Sequence, residues 1–274
     1  MSETSKFRDP YFWYRIFKYS IYVLLTYDGW LFLQEDIAAS AQTISGDITW
    51  RNFVEAYSAG IDTLSWVILL LLFELETAVF SDEDLKGSLK WTLSSLRFIC
   101  YVLISYSFYG YAVKYGVVTN LSSLDITDIC SLVGSDFTYV YTLDEYMPIT
   151  AEVCAPMQGL PIHQIAGTQI IGTMEQMELA KALAMTDIVN AADWLIVVAV
   201  LEGEVWLQLN NRLSDKLMAL NKLLKSVLYA VLFACAIYWG IDGDFLDFLD
   251  AFLWLVAFIF IEMNIFEWRA ETQA

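Results

Sequence analysis

Six long apolar stretches constrain this chain more than any other feature of its sequence. A helix that crosses the hydrocarbon layer of a bilayer needs about 20 mostly apolar residues. The sequence offers Phe12–Leu33, Ile61–Phe80, Leu96–Tyr115, Thr186–Leu209, Leu223–Ile241 and Phe245–Trp268. Six such stretches in 274 residues leave too little polar sequence to coat a soluble core. The composition agrees, at 58% hydrophobic residues with a mean hydropathy of +0.51, against roughly 45–50% apolar residues in soluble domains. The expected fold is an all-α polytopic membrane protein with six transmembrane helices in contact with the lipid bilayer. Asp28 interrupts the first stretch, so that stretch is expected to be a retained span rather than a cleaved signal.

Charge sets the expected orientation. Twelve basic residues flank one set of span ends: Lys6, Arg8, Arg15, Lys18, Lys86, Lys90, Arg97, Arg212, Lys216, Lys222, Lys225 and Arg269. The opposite ends hold only Arg51, Lys114 and Lys181. Basic loops stay on the cytoplasmic side, so both termini are expected in the cytoplasm, in a bacterial inner (plasma) membrane. The net charge of −18 argues against nucleic acid as a partner.

Inside the spans a pattern recurs three times. The second, fourth and sixth spans each carry W-x7-E-x-[EN], as Trp66/Glu74/Glu76, Trp194/Glu202/Glu204 and Trp254/Glu262/Asn264. Asp62, Asn190 and Asp250 each stand four residues before their Trp. The first, third and fifth spans carry [KR]-x3-Y, as Lys18/Tyr22, Arg97/Tyr101 and Lys225/Tyr229. The two motifs alternate correctly, which predicts three tandem two-helix repeats around a pseudo-three-fold axis along the membrane normal. The expected divisions are residues 1–80, 81–209 and 210–274, with an outer insert at 116–185 between the third and fourth spans.

Carboxylates within spans are the candidate functional residues. Each charge at mid-membrane costs roughly 2.5–3.5 kcal/mol. Glu74 lies 12 residues past Asp62, or roughly 18 Å along a helix, so it belongs to the inner half of the bilayer. Glu76, Glu204 and Asn264 stand two residues further on, about 200° round the helix, and point elsewhere. Glu74, Glu76, Glu202, Glu204, Glu262 and Asn264 are therefore candidates for an ion path. Lys18, Arg97 and Lys225 are candidate partners that either clip the bundle together or gate the path. Asp28 reads as a bundle-facing residue bonded to Tyr or Thr.

The insert reads as a small outer domain, strand-like over Val117–Ile149 and helical over Gly172–Met185. Its Cys130 and Cys154 are a disulfide candidate, while Cys100 and Cys235 read as packed span residues and His163 as a loop residue. Asp242, Asp244, Asp247 and Asp250 form an acidic outer rim that raises the local cation concentration. The rim lacks the Gly and Glu positions of an EF-hand. The chain carries no P-loop, HExxH, nucleophile elbow or paired-Cys metal motif. No cofactor, metal or enzymatic activity is expected. Two functions remain open at this point. One is a cation or proton channel or transporter using the intramembrane glutamates. The other is a non-transporting subunit or sensor whose outer insert binds a partner protein. A homo-oligomer fits either.

Overall fold

The computed structural model describes residues 10–44, 49, 52–80, 86–126, 128–210, 212, 214–243 and 245–258. Its long helices are α1 (Pro10–Thr43), α3 (Ser58–Glu74), α4 (Gly87–Thr119), α6 (Met174–Leu209) and α7 (Asp215–Asp242), with α8 at residues 245–258. Two short helices, α2 (Phe53–Ala56) and α5 (Ala151–Met157), lie in connections. Four segments are long and apolar enough to cross a membrane by length and composition: Ser58–Thr77, Gly87–Thr119, Met174–Gln208 and Lys216–Asp242. The chain is thus a largely helical membrane-type protein. Helix α1 contains the predicted first span, but Lys18, Asp28 and interleaved Tyr and Trp side chains dilute its aliphatic run. The predicted sixth span is described only as far as residue 258; its remainder lies outside the described residues.

Successive long helices pack side by side, α1 on α3, α3 on α4, α4 on α6 and α6 on α7. Small residues bring α1 and α3 close, as is usual where helices meet without water. A Cβ on Gly29 would come within 2.8 Å of the Leu64 side chain, and one on Gly60 within 3.0 Å of the Leu33 backbone. The axis is filled by Leu25, Val67, Leu70, Val197, Leu232 and Ala257, all buried.

The all-α expectation is corrected by the insert, which holds a five-stranded sheet. Its strands are β1 (Leu121–Leu124), β2 (Thr138–Val140), β3 (Tyr146–Pro148), β4 (Ile162–Ile165) and β5 (Ile170–Thr173), in the order β1-β4-β5-β2-β3. Only β2 and β5 run parallel. The strand-like first half of the insert supplies β1 to β3. However, β4 and β5 come from the second half, where no strands were expected. His163 stands in β4 rather than in a loop.

The sheet is covered on both faces, and the alternation of its side chains shows how. Ile170 packs with Val140, Ile165 and Met177 toward α6 and α7. Its neighbour Ile171 packs on the other face with Ile129, Ile149, Cys154 and Met157. On that second face Cys130 and Cys154 form the expected disulfide, with their Cα atoms 5.1 Å apart. Cys100 and Cys235 are free and buried, as expected. The sheet passes directly into α6 through a capping box. The Thr173 hydroxyl accepts from the Gln176 N–H, and the Gln176 side chain accepts from the Thr173 N–H. The helical segment expected over Gly172–Met185 is the first part of α6, continuous with the predicted fourth span. The insert therefore caps one end of the bundle, and α6 runs from it toward the opposite end.

Candidate functional site

The buried polar groups form three levels along the bundle. At the end far from the insert, the Lys18 ammonium lies 2.7 Å from Glu74 Oε1 and 2.8 Å from Oε2. The Tyr19 hydroxyl donates to Oε1 at 3.1 Å and the Tyr22 hydroxyl to Oε2 at 3.3 Å. Both charged side chains are 7% exposed. Helix α3 widens into a π-turn directly after Glu74, over Leu75–Val79, and Glu76 in that turn pairs with Arg97 of α4. On α6, the exposed Glu202 accepts from the Tyr101 hydroxyl of α4 at 3.0 Å, and the buried Glu204 lies 3.3 Å from the Lys225 ammonium of α7.

The two acids of each E-x-E thus serve two different neighbours. Glu74 faces α1 and Glu76 faces α4; Glu202 faces α4 and Glu204 faces α7. Two residues turn a helix by about 200°, which is what a helix packed between two others requires. Among the described residues, three of the four candidate glutamates have a cation and the fourth a tyrosine hydroxyl. Glu262 and Asn264 lie outside the described residues.

At the middle level the tryptophans of the recurring motif meet. The rings of Trp66, Trp194 and Trp254 stand 6.1, 6.3 and 6.5 Å apart in pairs, tilted or edge-on to one another, a favourable arrangement for their quadrupoles. Phe258 closes on Trp194 at 4.5 Å. Two of the indoles are tied one turn back on their own helices. Trp254 Nε1 donates to Asp250 Oδ1 at 3.1 Å, and Trp66 donates to Asp62. That is the physical meaning of an Asp four residues before a Trp: position i+4 lies directly over position i.

Above the tryptophans, toward the insert, the acids outnumber the bases. Asp62 also accepts from the Tyr111 hydroxyl at 3.3 Å. Asp250 lies within the electrostatic reach of Asp28 and Asp62. Asp28 faces the bundle as expected, at 1% exposure, but not with the expected Tyr or Thr bond: its Oδ2 has no hydrogen-bond partner. Asp193, next to Trp194, is also buried with an unpartnered Oδ2. Nearer the insert, Lys114 of α4 reaches Asp144 of the β2–β3 connection at 2.7 Å, with Asp36 and Asp187 also acting on it. Asp36 Oδ2 accepts from the Gly60 N–H at 2.7 Å.

The acidic rim is not one feature. Asp242 is exposed at the end of α7, Asp247 is half-buried, and Asp250 belongs to the aspartate cluster over the tryptophans. Asp244 lies outside the described residues. Among the described residues no group of three or more His, Cys, Asp or Glu side chains is arranged to hold a metal ion. The sequence pattern does not single out Asp36 or Asp193, and it marks Lys114 only as one of three basic residues at the opposite span ends. Its available signal was the D-x3-W spacing, which leads to Asp62 and Asp250 but not to the residues that surround them. No protein-family model, curated protein or solved structure matches the chain.

Two outcomes follow from this geometry. Lys18→Met leaves the Glu74 carboxylate buried without its cation, and breaking a buried pair in this way costs about 3–5 kcal/mol. The thermal midpoint in detergent should fall sharply, and Lys18→Met with Glu74→Met should recover most of the loss; an unchanged midpoint in the single variant would show that the pair holds nothing. The second outcome concerns Asp36, beyond the end of the predicted first span. Burial pushes its carboxyl up to about 7, while Lys114 and the Gly60 N–H pull it back. The unfolded value is about 3.9, so the folded chain holds this proton more tightly. The stability contributed by Asp36 is then full below about pH 4 and is lost as the pH rises through about 7. Unfolding midpoints of Asp36→Asn, relative to wild type, should rise across that window; a constant difference would refute the assignment.

Proposed function

We propose that this protein moves protons or other cations through the core of a six-span bundle, using its buried carboxylates. The observation that carries the reading is the pair of buried aspartates, Asp28 and Asp193, whose Oδ2 atoms have no partner. A carboxylate left in this condition inside a membrane is costly, and ionisable groups kept there typically belong to ion or proton paths. On this reading the aspartates near the insert collect the cation. The tryptophan triangle is the closed gate. The glutamates Glu74, Glu202 and Glu262 line the further half; at rest Lys18 neutralises Glu74, while Arg97 and Lys225 hold the neighbouring Glu76 and Glu204.

The finer architecture belongs to the same proposal. Three tandem hairpins, residues 1–80, 81–209 and 210–274, surround a pseudo-three-fold axis. The meeting of Trp66, Trp194 and Trp254 supports this, as does the parallel service of the two E-x-E motifs to the helices on either side. The excess of basic residues at the far end supports cytoplasmic termini. A disulfide in the insert suits an oxidising space outside a bacterial plasma membrane.

A second reading has its own observation. Lys18, Tyr19 and Tyr22 saturate Glu74, as they would in a bundle that only needs clamping. In that case the protein is a non-transporting subunit or sensor, and the insert meets a partner or a second copy. Cation and proton flux into liposomes separates the two. Wild type should conduct, and the combined variant Glu74→Gln, Glu202→Gln, Glu262→Gln should lose or reselect the flux while staying folded. Absence of flux from both samples, with the variant less thermostable, would leave the clamping role standing.

A further inference from the structure

We propose that Asp28, Asp62 and Asp250, together with the Tyr111 hydroxyl, form a proton-binding site directly above the tryptophan triangle. The proposal deepens the transport reading by naming the ion, and it rests on that reading only for where the proton goes next.

Three different helices supply the carboxylates: Asp28 from α1, Asp62 from α3 and Asp250 from α8. Asp250 lies in the fields of the other two. Their partners are neutral donors. Asp62 takes the Tyr111 hydroxyl and the Trp66 indole N–H, and Asp250 takes the Trp254 indole N–H. Asp28 takes nothing on Oδ2, at 1% exposure. Among the described residues no lysine or arginine acts on any of the three.

The charged groups around the site do not supply the missing cation. On α1, Asp36 adds another acid that acts on Tyr111; on α6, Asp187 adds a second. On α4, Lys114 is already engaged by Asp144 of the insert, with Asp36 and Asp187 beside it. No charged group of α7 acts on the three carboxylates among the described residues.

Neighbouring carboxylates in a low-dielectric core cannot all be ionised without a compensating charge. That charge is a metal ion, an organic cation or a proton. The three acids are not arranged to hold a metal, and the tightly buried Asp28 leaves no room for an organic cation. A proton needs no coordination sphere. It binds one carboxylate oxygen and creates the hydroxyl donor that the site otherwise lacks, which gives the bare oxygen of Asp28 a hydrogen-bonding role. Asp28 is fully buried, and Asp62 and Asp250 stand half-buried beside it.

The test is infrared spectroscopy of the full chain in nanodiscs, with no gradient imposed. Wild type at neutral pH should show the carbonyl band of a protonated carboxylic acid. Subtracting the spectrum of Asp28→Asn, and separately that of Asp250→Asn, should isolate a band lost in each near-isosteric variant. Added sodium, potassium or calcium should leave that band in place. A band that is absent, that survives both substitutions, or that calcium removes would overturn the proposal. A folded protein that keeps the band yet carries no flux would sink the transport reading while supporting the site. If one variant fails to fold, the other still decides, and Asp62→Asn provides a third.

Discussion

Every buried carboxylate in this bundle has to be answered by something other than water, and that requirement organises the molecule. Desolvating an acid inside a membrane-sized helix costs kilocalories, and mutual attraction repays this only where a cation sits in good geometry. The end far from the insert meets the requirement with lysine, arginine and tyrosine. Lys18 closes on Glu74, Arg97 on Glu76 and Lys225 on Glu204. Each of these contacts joins two helices, so the charges that make the core expensive are the same charges that fix which helices are neighbours. The level nearest the insert meets the requirement differently, with indole and phenol donors and one engaged lysine. Even so, Asp28 and Asp193 each keep one carboxylate oxygen without a partner, and the proposed function rests on those two.

Between the two levels the tryptophan triangle separates one set of charges from the other. Trp66 precedes Glu74 by eight residues, roughly 12 Å of helix. Apolar side chains such as Val67, Val197 and Ala257 fill the layer around it. Two of the three tryptophans are bonded to aspartates of the upper cluster. On the proposed reading, a change in the protonation of Asp62 or Asp250 would act on the orientation of these rings through those two bonds. The insert is tied into the same level from above, through Asp144 and Lys114 and through the unbroken run of β5 into α6.

Much of this was legible in the amino-acid order, and the failures have physical causes. The apolar stretches mark the long helices because a helix among lipids has to be apolar on most sides. The three tryptophans of the W-x7-E-x-[EN] spacing converge, and in the second and fourth spans its two acids face different neighbouring helices, since helical phase converts spacing into direction. The Cys130–Cys154 bridge was readable from placement alone. The sheet was less visible: its strands are three or four residues long, and Ile170 and Ile171 are both buried because the sheet is covered on both faces. Such strands lack the apolar–polar alternation that betrays a half-exposed one. The contact between Lys114 and Asp144 joins a span to a connection in the insert 30 residues away, and no local pattern announces it. The unpartnered state of Asp28 depends on what its neighbours fail to offer, which only the packed bundle reveals.

In the proposed function the proton is the ion that balances the aspartates and crosses the bundle. The reversal potential of currents through the purified protein in a planar bilayer tests this most directly, with opposed gradients of pH and potassium. The account predicts a reversal that follows the proton gradient and ignores potassium. A reversal set by potassium, or no current from protein whose fold has been verified, would contradict it.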